Sequence, residues 1–379
     1  MTALSADPLA GAPTPAVGYV GRIPVRNLWL LMLYASELFR SGGVAKVDPE
    51  RAPDDLPDLI AELLSRAVEA RMRRRLSLGY RARDAVLTRV RGRIDGLITE
   101  RRRLLDRGRV ACRFEELALD TPRNRYVRAA LETASRIVRR SDVMHRCRSL
   151  ATSLRALGVA GPAPSRAEAS ADCFGRHDAD DRFMVMAARL LFELALPTET
   201  AGAQALVSPE REEVWVRRLF ERAIGGFYDV VLGPQGWQVR RGSPLCWQID
   251  RQTVGIDKIL PNMKTDIVLD HPASGRRIVI DTKFTSIVTP GWHRDETLRS
   301  GYIYQLYAYL HSQTGGGDAA ADGACGLLLH PAIHAAVDES VVIQGRTLRF
   351  GTVDLTASTA DIREQLLQFC RPDPRLSGT

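Results

Sequence analysis

The sequence predicts a mixed α/β protein made of two units. The chain has 379 residues, which is enough for two domains of ordinary size. Helical periodicity dominates the first half, whereas short β-branched runs between amphipathic segments dominate the second. A small and polar stretch, Thr198 to Ser208, separates the halves. We therefore expect a mostly helical α+β domain over residues 19–200, and an α/β domain with a mixed sheet over residues 205–379.

The first unit begins after an Ala-, Pro- and Gly-rich segment, residues 1–18, which we predict to be a disordered leader because it lacks the apolar region of a signal peptide. A helix is expected to begin near Asn27, whose side chain is of a type that caps free N–H groups. The other helices predicted here are Leu56–Arg75, Pro122–Ile137 and Asp180–Leu196, the last ended by Pro197.

A basic hairpin is predicted near residues 86–114. Between Arg66 and Arg109 there are 15 arginines and five acidic residues, a surplus larger than the net charge of +8 of the whole chain. Such a concentration favours a polyanion or an acidic protein surface as partner. The alternative is a solvated surface in an arginine-biased sequence.

The second unit is predicted to contain strands and three helices. The predicted helices are Glu210–Val231, Tyr302–His311 and Ala360–Arg371. The predicted strands are Trp237–Arg240, Cys246–Asp250, Asp266–Leu269, Arg277–Phe284, Gly326–His330, Ser340–Gln344 and Thr347–Val353.

Cysteine usage and hydropathy exclude several classes. The six cysteines are scattered and form no Cys-x-x-Cys pair, which argues against structural zinc and favours reduced thiols in a cytoplasmic protein. No apolar run approaches the roughly 20 residues of a membrane span. The dipeptide Gly-Lys is absent, so the chain has no P-loop and no predicted nucleotide site of its own.

The most informative window is residues 264–284, where two predicted strands carry Asp266, Asp281 and Lys283. Lys283 lies two residues after Asp281, so strand alternation places both side chains on one face. Carboxylate oxygens suit a hard cation such as Mg²⁺, which activates water for phosphodiester cleavage. Lysine is also rare, with only four in the chain. The alternative is a salt-bridged hairpin at a solvated sheet edge.

Two further features accompany this window. Glu221 lies on the helix that precedes the sheet and is a candidate additional carboxylate; the alternative is a solvated glutamate on the helix face near Arg217 and Arg218. Gln305 and Tyr309 are one helical turn apart on one face of a later helix. In this order behind the acidic strands, Gln305 is placed to orient water or phosphate, and Tyr309 to contact a DNA strand.

The order Glu, Asp, Asp-x-Lys, Gln-x-x-x-Tyr resembles the PD-(D/E)xK nuclease superfamily in its RecB-like branch. The chain as a whole resembles the McrC family, the nuclease subunits of McrBC modification-dependent restriction systems. The matching stretches are Ile23–Ala35, Arg91–Ile94, Asp120–Arg125, Leu260–Ile267, Ile280–Phe284, Tyr304–Leu310 and Gly326–Pro331.

This resemblance implies a restriction-endonuclease-like fold in residues 205–379, with Mg²⁺ held by Asp266, Asp281 and the Thr282 backbone carbonyl. It also implies an AAA+ GTPase ring, McrB, as partner, and DNA with modified cytosine, read by that partner, as substrate. Arg91 and Arg93 in the basic hairpin are the candidate contact to the ring. Two alternatives stay open: a non-catalytic ring adaptor, and a stand-alone RecB-like nuclease.

Overall fold

In the computed structural model, the chain is described over much of its length. The described residues are 19–20, 23–36, 38, 55–165, 168, 179–202, 209–290, 295–333 and 336–376. The predicted leader, residues 1–18, lies outside them, as do residues 203–208 within the predicted boundary.

The first half is mainly helical, as the periodicity predicts. Its described helices are α1 (Val25–Ala35), α2 (Leu56–Arg74), α3 (Gly96–Arg101), α4 (Pro122–Ile137), α5 (Ser141–Ala156) and α6 (Ala179–Gly202). The prediction that Pro197 ends α6 is wrong, because the helix continues to Gly202. Proline removes one intrahelical hydrogen bond, and here the preceding turns are anchored by the buried Leu190, Leu191 and Leu194.

Helix α1 is almost entirely buried, which explains why its sequence is apolar on every face. The predicted capping role of Asn27 is wrong: the helix begins at Val25, and no side chain caps it. Instead, Asn27 Nδ2 donates to the backbone carbonyls of Leu355 (2.7 Å) and Ala357 (3.1 Å), more than 320 residues away. The side chain thus satisfies buried carbonyls in a remote loop and does not serve its own helix.

The basic hairpin is part of a three-stranded antiparallel sheet, which we call the arm. Its strands are β3 (Gly79–Leu87), β4 (Arg93–Ile94) and β5 (Val110–Ala118), in the order β3-β5-β4. Cross-strand ion pairs join Arg83 to Glu116 (2.9 Å) and Arg113 to Asp84 (2.8 Å). A small ladder of β1 (Tyr19–Val20) and β2 (Ile23–Pro24) precedes α1.

The second half contains a six-stranded mixed sheet behind helix α7 (Pro209–Leu232). Its strands are β6 (Gln238–Leu245), β7 (Met263–His271), β8 (Arg276–Thr282), β11 (Cys325–Pro331), β12 (Asp338–Ile343) and β13 (Arg346–Val353). The order is β12-β13-β11-β8-β7-β6, with β11 parallel to both β8 and β13. The predicted strand Cys246–Asp250 is wrong, because pairing of β6 with β7 ends at Leu245 and a loop follows.

The remaining elements cover or flank this sheet. They are the β9 (Val288–Pro290) and β10 (Glu296–Leu298) hairpin and the helices α8 (Ser300–His311), α9 (Ala319–Asp322) and α10 (Thr359–Gln368). Ile278 and Ile280 of β8 pack in the cluster that contains α7 and α10, whereas Val279 packs in the cluster of α8. Alternate residues of β8 therefore serve opposite faces, and the sheet lies between helices. The predicted α/β class is confirmed.

The apolar core is continuous from the first helix to the sheet. One cluster includes residues of α1, α2, α4 to α7, one face of the sheet, and α10. Among the described helices, none combines the length and apolarity that a membrane crossing requires.

Candidate active site

The two predicted aspartates lie at opposed positions of neighbouring strands. Strands β7 and β8 are antiparallel, and their ladder ends where Ile267 pairs with Ile280. One step further in the same register, Asp266 is opposite Asp281. There the strands separate, and the Asp266 carboxylate takes the place of a backbone partner: its Oδ2 accepts from the Thr282 N–H (2.7 Å) and hydroxyl (2.8 Å). The end of the ladder thus fixes both carboxylates beside Thr282.

Asp281 is fully buried, and its carboxylate is poorly satisfied. Among the described residues neither oxygen receives a well-aligned hydrogen bond, and the polar contact it makes is Lys283 Nζ at 2.6 Å from Oδ2. Burial raises the pKa of Asp281 to about 6; Lys283 opposes this shift, and the negative charges of Asp266 and Glu221 add to it. A buried carboxylate with free lone pairs is what a bound cation stabilises.

Lys283 lies between a carboxylate and an aromatic ring. Its side chain is only 11% exposed, and Nζ lies 5.3 Å from the centre of the Tyr302 ring on α8. Its backbone N–H donates to the Leu329 carbonyl of β11 (3.0 Å), which extends the sheet one residue past β8. A compact cation is therefore held against Asp281, at the end of the β7–β8 ladder.

Glu221 reaches this neighbourhood from α7. Burial raises the pKa of Glu221, and the negative charge of Asp266 raises it further. The positive charges of Lys264, Arg217 and Lys283 oppose this shift. The half-buried Glu221 thus shares one electrostatic environment with the aspartates, although no hydrogen bond between them is present in the described part of the chain.

Gln305 and Tyr309 enter from α8, on the opposite side of the sheet from α7. Gln305 Nε2 donates to the Tyr309 hydroxyl at 2.5 Å, one helical turn away, as their spacing predicts. Burial raises the pKa of Tyr309, and the charges of Asp281 and Asp266 add to this shift. The structure thus brings the six predicted catalytic residues into one neighbourhood.

A divalent cation fits this donor set if it needs few protein ligands. Among the described residues, no group of three or more His, Cys, Asp or Glu side chains is arranged to hold a metal. Asp266 and Asp281 supply two carboxylates. The Thr282 N–H points towards β7, and its carbonyl therefore lies on that same side of the strand. Mg²⁺ retains several waters and commonly uses one or two carboxylates, so oxygen ligands of this number suit it and do not suit zinc.

Arg91 and Arg93 belong to the arm and not to the six-stranded sheet. Both side chains are exposed. The Arg91 guanidinium lies 4.2 Å from the centre of the Phe114 ring, and Arg93 is paired in register with Arg113. Neither forms an ion pair with any described residue. Their charges are therefore available to an external partner.

Two residues of the site escaped prediction: Tyr302, whose ring lies beside Lys283, and His330, which is fully buried next to Tyr302. The sequence carried a weak signal for His330, a single polar residue at the end of the apolar run Leu327–Leu329.

Comparisons with known proteins find a family match for the first half of the chain. Residues 14–169 match the model of the family described as McrBC 5-methylcytosine restriction system component. A half-complex of the tetradecameric assembly of Thermococcus gammatolerans McrB AAA+ hexamers with bound McrC aligns with TM-score 0.43 and 14% identity, over 91% of this chain and 76% of that one. The Thermococcus gammatolerans McrBC complex aligns with TM-score 0.32 and 16% identity, over 49% of this chain and 64% of that one. No protein of curated function matches. Over residues 14–169, the chain is thus similar to the family of McrBC 5-methylcytosine restriction system components.

Proposed function

We propose that this chain is the Mg²⁺-dependent DNA endonuclease subunit of an McrBC-type restriction system. The observation that carries the proposal is the opposed pair Asp266 and Asp281 at the open end of the β7–β8 ladder, with Lys283 in contact with Asp281. The match of residues 14–169 to a restriction-system family supports DNA as the substrate. The mixed sheet between helices supports a restriction-endonuclease-like fold for residues 205–379.

The residues have distinct roles in this proposal. Asp266, Asp281 and the Thr282 carbonyl hold Mg²⁺, which when bound polarises the phosphate and lowers the pKa of water. Lys283 orients the attacking water and stabilises the negative charge that develops on the phosphate. Its burial strengthens that interaction, because fewer solvent dipoles screen the charge.

The flanking residues position the reactants. Gln305 and Tyr309 line the α8 side, where their shared hydrogen bond fixes the geometry of both groups for contact with water and the DNA strand. Glu221 lies on the α7 side as an outer carboxylate, where its charge favours retention of the cation.

The arm is assigned to the partner. We propose that Arg91 and Arg93 contact an AAA+ GTPase ring of the McrB type and stimulate its GTP hydrolysis. Both side chains are exposed and form no ion pair with the residues that the structure describes, which supports this role. Replacing both by alanine should abolish stimulation of GTP hydrolysis, whereas Arg136→Ala, an exposed arginine on α4, should not change it. Unchanged stimulation by the double variant would exclude the arm as the contact.

The test of the nuclease is plasmid cleavage with Mg²⁺, using cytosine-methylated and unmodified DNA. The chain is assayed alone, and then with the AAA+ protein encoded beside it and GTP. Asp281→Asn should abolish cleavage while partner binding and GTPase stimulation persist; the control Glu364→Gln, an exposed carboxylate on α10, should cut normally.

The outcomes separate the candidate functions. Cleavage that needs partner, GTP and methylated DNA supports the proposal. Cleavage by the chain alone indicates a free nuclease. Stimulated GTP hydrolysis without any cleavage by the unaltered chain indicates an adaptor, and cutting by Asp281→Asn rejects the assigned site.

A further inference from the structure

The buried His330 on β11 forms a hydrogen bond through one ring nitrogen, and its other ring nitrogen has no hydrogen-bond partner among the described residues. Its Nδ1 lies 2.8 Å from the Thr285 carbonyl. Because a carbonyl only accepts, Nδ1 carries the proton, and Nε2 is the bare acceptor. That Nε2 is buried without a partner in the described part of the structure. Burial lowers the pKa of His330 to about 4, so the ring is neutral near pH 7.

The bond from His330 holds the segment that carries Lys283. After β8 ends at Thr282, the backbone leaves the sheet, and its last sheet-like bond joins the Lys283 N–H to the Leu329 carbonyl. Two residues later the Thr285 carbonyl is taken by the His330 side chain. Adjacent residues of β11 thus secure both ends of the short segment 283–285.

His330 also supports Lys283 through an aromatic ring. The centres of the His330 and Tyr302 rings are 5.9 Å apart. Two cations also lie over the Tyr302 ring: the Lys283 ammonium, 5.3 Å from the ring centre, and the Arg299 guanidinium, 6.0 Å from it. Lysine has a flexible stem and loses rotamer entropy when it is fixed in one position. Because His330 supports both the backbone after Lys283 and the Tyr302 ring, the Lys283 side chain has less conformational freedom to lose when it acts in the reaction.

We propose that His330 is a positioning residue for Lys283, acting by holding the Thr285 carbonyl and by supporting the Tyr302 ring. The structural part of this inference stands on the contacts alone; its consequence for cleavage rests on the proposed nuclease function. Since no hydrogen bond joins His330 to either aspartate, it serves the reaction through Lys283 and not through metal binding.

The structural test measures the reactivity of Lys283 in the full chain. His330→Leu removes the hydrogen bond, whereas His330→Asn places an amide N–H near the position of Nδ1. Reductive methylation followed by mass spectrometry reads out each of the four lysines, and the exposed Lys258 and Lys264 are internal references. We expect labelling of Lys283 to rise severalfold in the leucine variant and to stay near the unaltered rate in the asparagine variant.

The functional test uses the same variants in cleavage. A misplacement of about 1 Å costs up to about 100-fold in rate, so the leucine variant should lose about 10- to 100-fold in kcat with KM unchanged. The asparagine variant should recover most of that loss. DNA binding with Ca²⁺ and stimulation of the partner GTPase should be the same in all variants.

Several results would overturn the inference. Unchanged Lys283 labelling in His330→Leu removes its basis, and equal impairment of the leucine and asparagine variants shows that the hydrogen bond is irrelevant. Parallel loss of DNA binding and GTPase stimulation indicates a general structural role. Should His330→Leu not fold, Tyr302→Leu at a half-buried position tests the same support. If no form cleaves DNA while labelling differs as expected, the proposed function fails and the positioning role stands.

Discussion

Two adjacent glycines of α7 offer a matched test of how α1 is held. A methyl group at Gly226 would lie 1.8 Å from the backbone oxygen of Tyr34 in α1. At Gly225 it would lie 2.5 Å from Cδ of Arg241, which is part of a long side chain. The first obstacle is main chain inside a buried helix, and the second can bend aside. Gly226→Ala should therefore destabilise the protein, and Gly225→Ala should not.

The magnitude follows from the two opposing effects of alanine. Replacing glycine by alanine within a helix gains about 1 kcal/mol of helix propensity. At Gly226 that gain is outweighed, because the helices must separate by roughly 1.5 Å to restore van der Waals distance, and overpacking costs about 1–3 kcal/mol or more. The separation also weakens the edge-to-face contact of Tyr34 with Phe227 and the bond from Arg222 to the Ala35 carbonyl. Because the obstacle is main chain, we place the cost at the upper end of this range or just above it, at about 3–4 kcal/mol, and subtracting the gain of about 1 kcal/mol leaves a net loss of about 2–3 kcal/mol.

The assay is thermal and urea unfolding of both variants beside the unaltered chain. Gly226→Ala should lower Tm by about 5–10 °C, using roughly 2–4 °C per kcal/mol for large domains. At Gly225 the gain in helix propensity is offset by displacement of the Arg241 side chain, so Gly225→Ala should lie within about 2 °C of the unaltered chain. Equal effects of the two substitutions, or no effect at Gly226, would refute the close approach of α1 and α7.

Two further predictions concern charge. The hydrogen-bonded Arg125 guanidinium lowers the pKa of Asp120 from 3.8 to about 2. The Asp120 carboxylate therefore stabilises the fold fully above about pH 4, and this contribution is lost as pH falls towards 2. Asp120→Asn should lower the free energy of unfolding more at pH 6 than at about pH 2.5, and a pH-independent effect would contradict this. Mg²⁺ at 100 times its Kd should stabilise the chain by about 2.7 kcal/mol, which a thermal melt detects as a rise in Tm. Asp281→Asn should abolish this rise and Glu364→Gln should retain it. An equal rise in Asp281→Asn would place the cation elsewhere.

Local patterns in the sequence were sufficient for much of the site. Strand alternation predicted that Asp281 and Lys283 share a face, and helical spacing predicted that Gln305 and Tyr309 share another. The opposition of Asp266 and Asp281 depends further on the register of the β7–β8 turn. That turn is a 3-10 turn at Pro272–Ser274, closed by Gly275 in the left-handed region (φ 64°). The sequence indicated a turn there without fixing its length.

Features that depend on distant partners were not predictable. Asn27 was interpreted as a cap because its local context suits one, yet its amide satisfies carbonyls at residues 355 and 357. The pattern of its own strand assigns no role to His330; its contacts are with Thr285 and Tyr302, which belong to two other segments. Cys246–Asp250 has β-propensity, but none of the described strands pairs with it. In each case tertiary contacts decided the outcome over local preference.

The pairing of Asn27 with residues 355 and 357 has a consequence for biosynthesis. During translation α1 leaves the ribosome long before the loop that accepts the hydrogen bonds of Asn27 has been synthesised. The apolar surface of α1 is covered only after α7, and then that loop, have been synthesised. Contacts of such long sequence separation form late and slowly. The nascent chain therefore carries a hydrophobic helix that stays partly exposed at least until α7 has been synthesised. An early stop before residue 355 leaves that helix without its final partner.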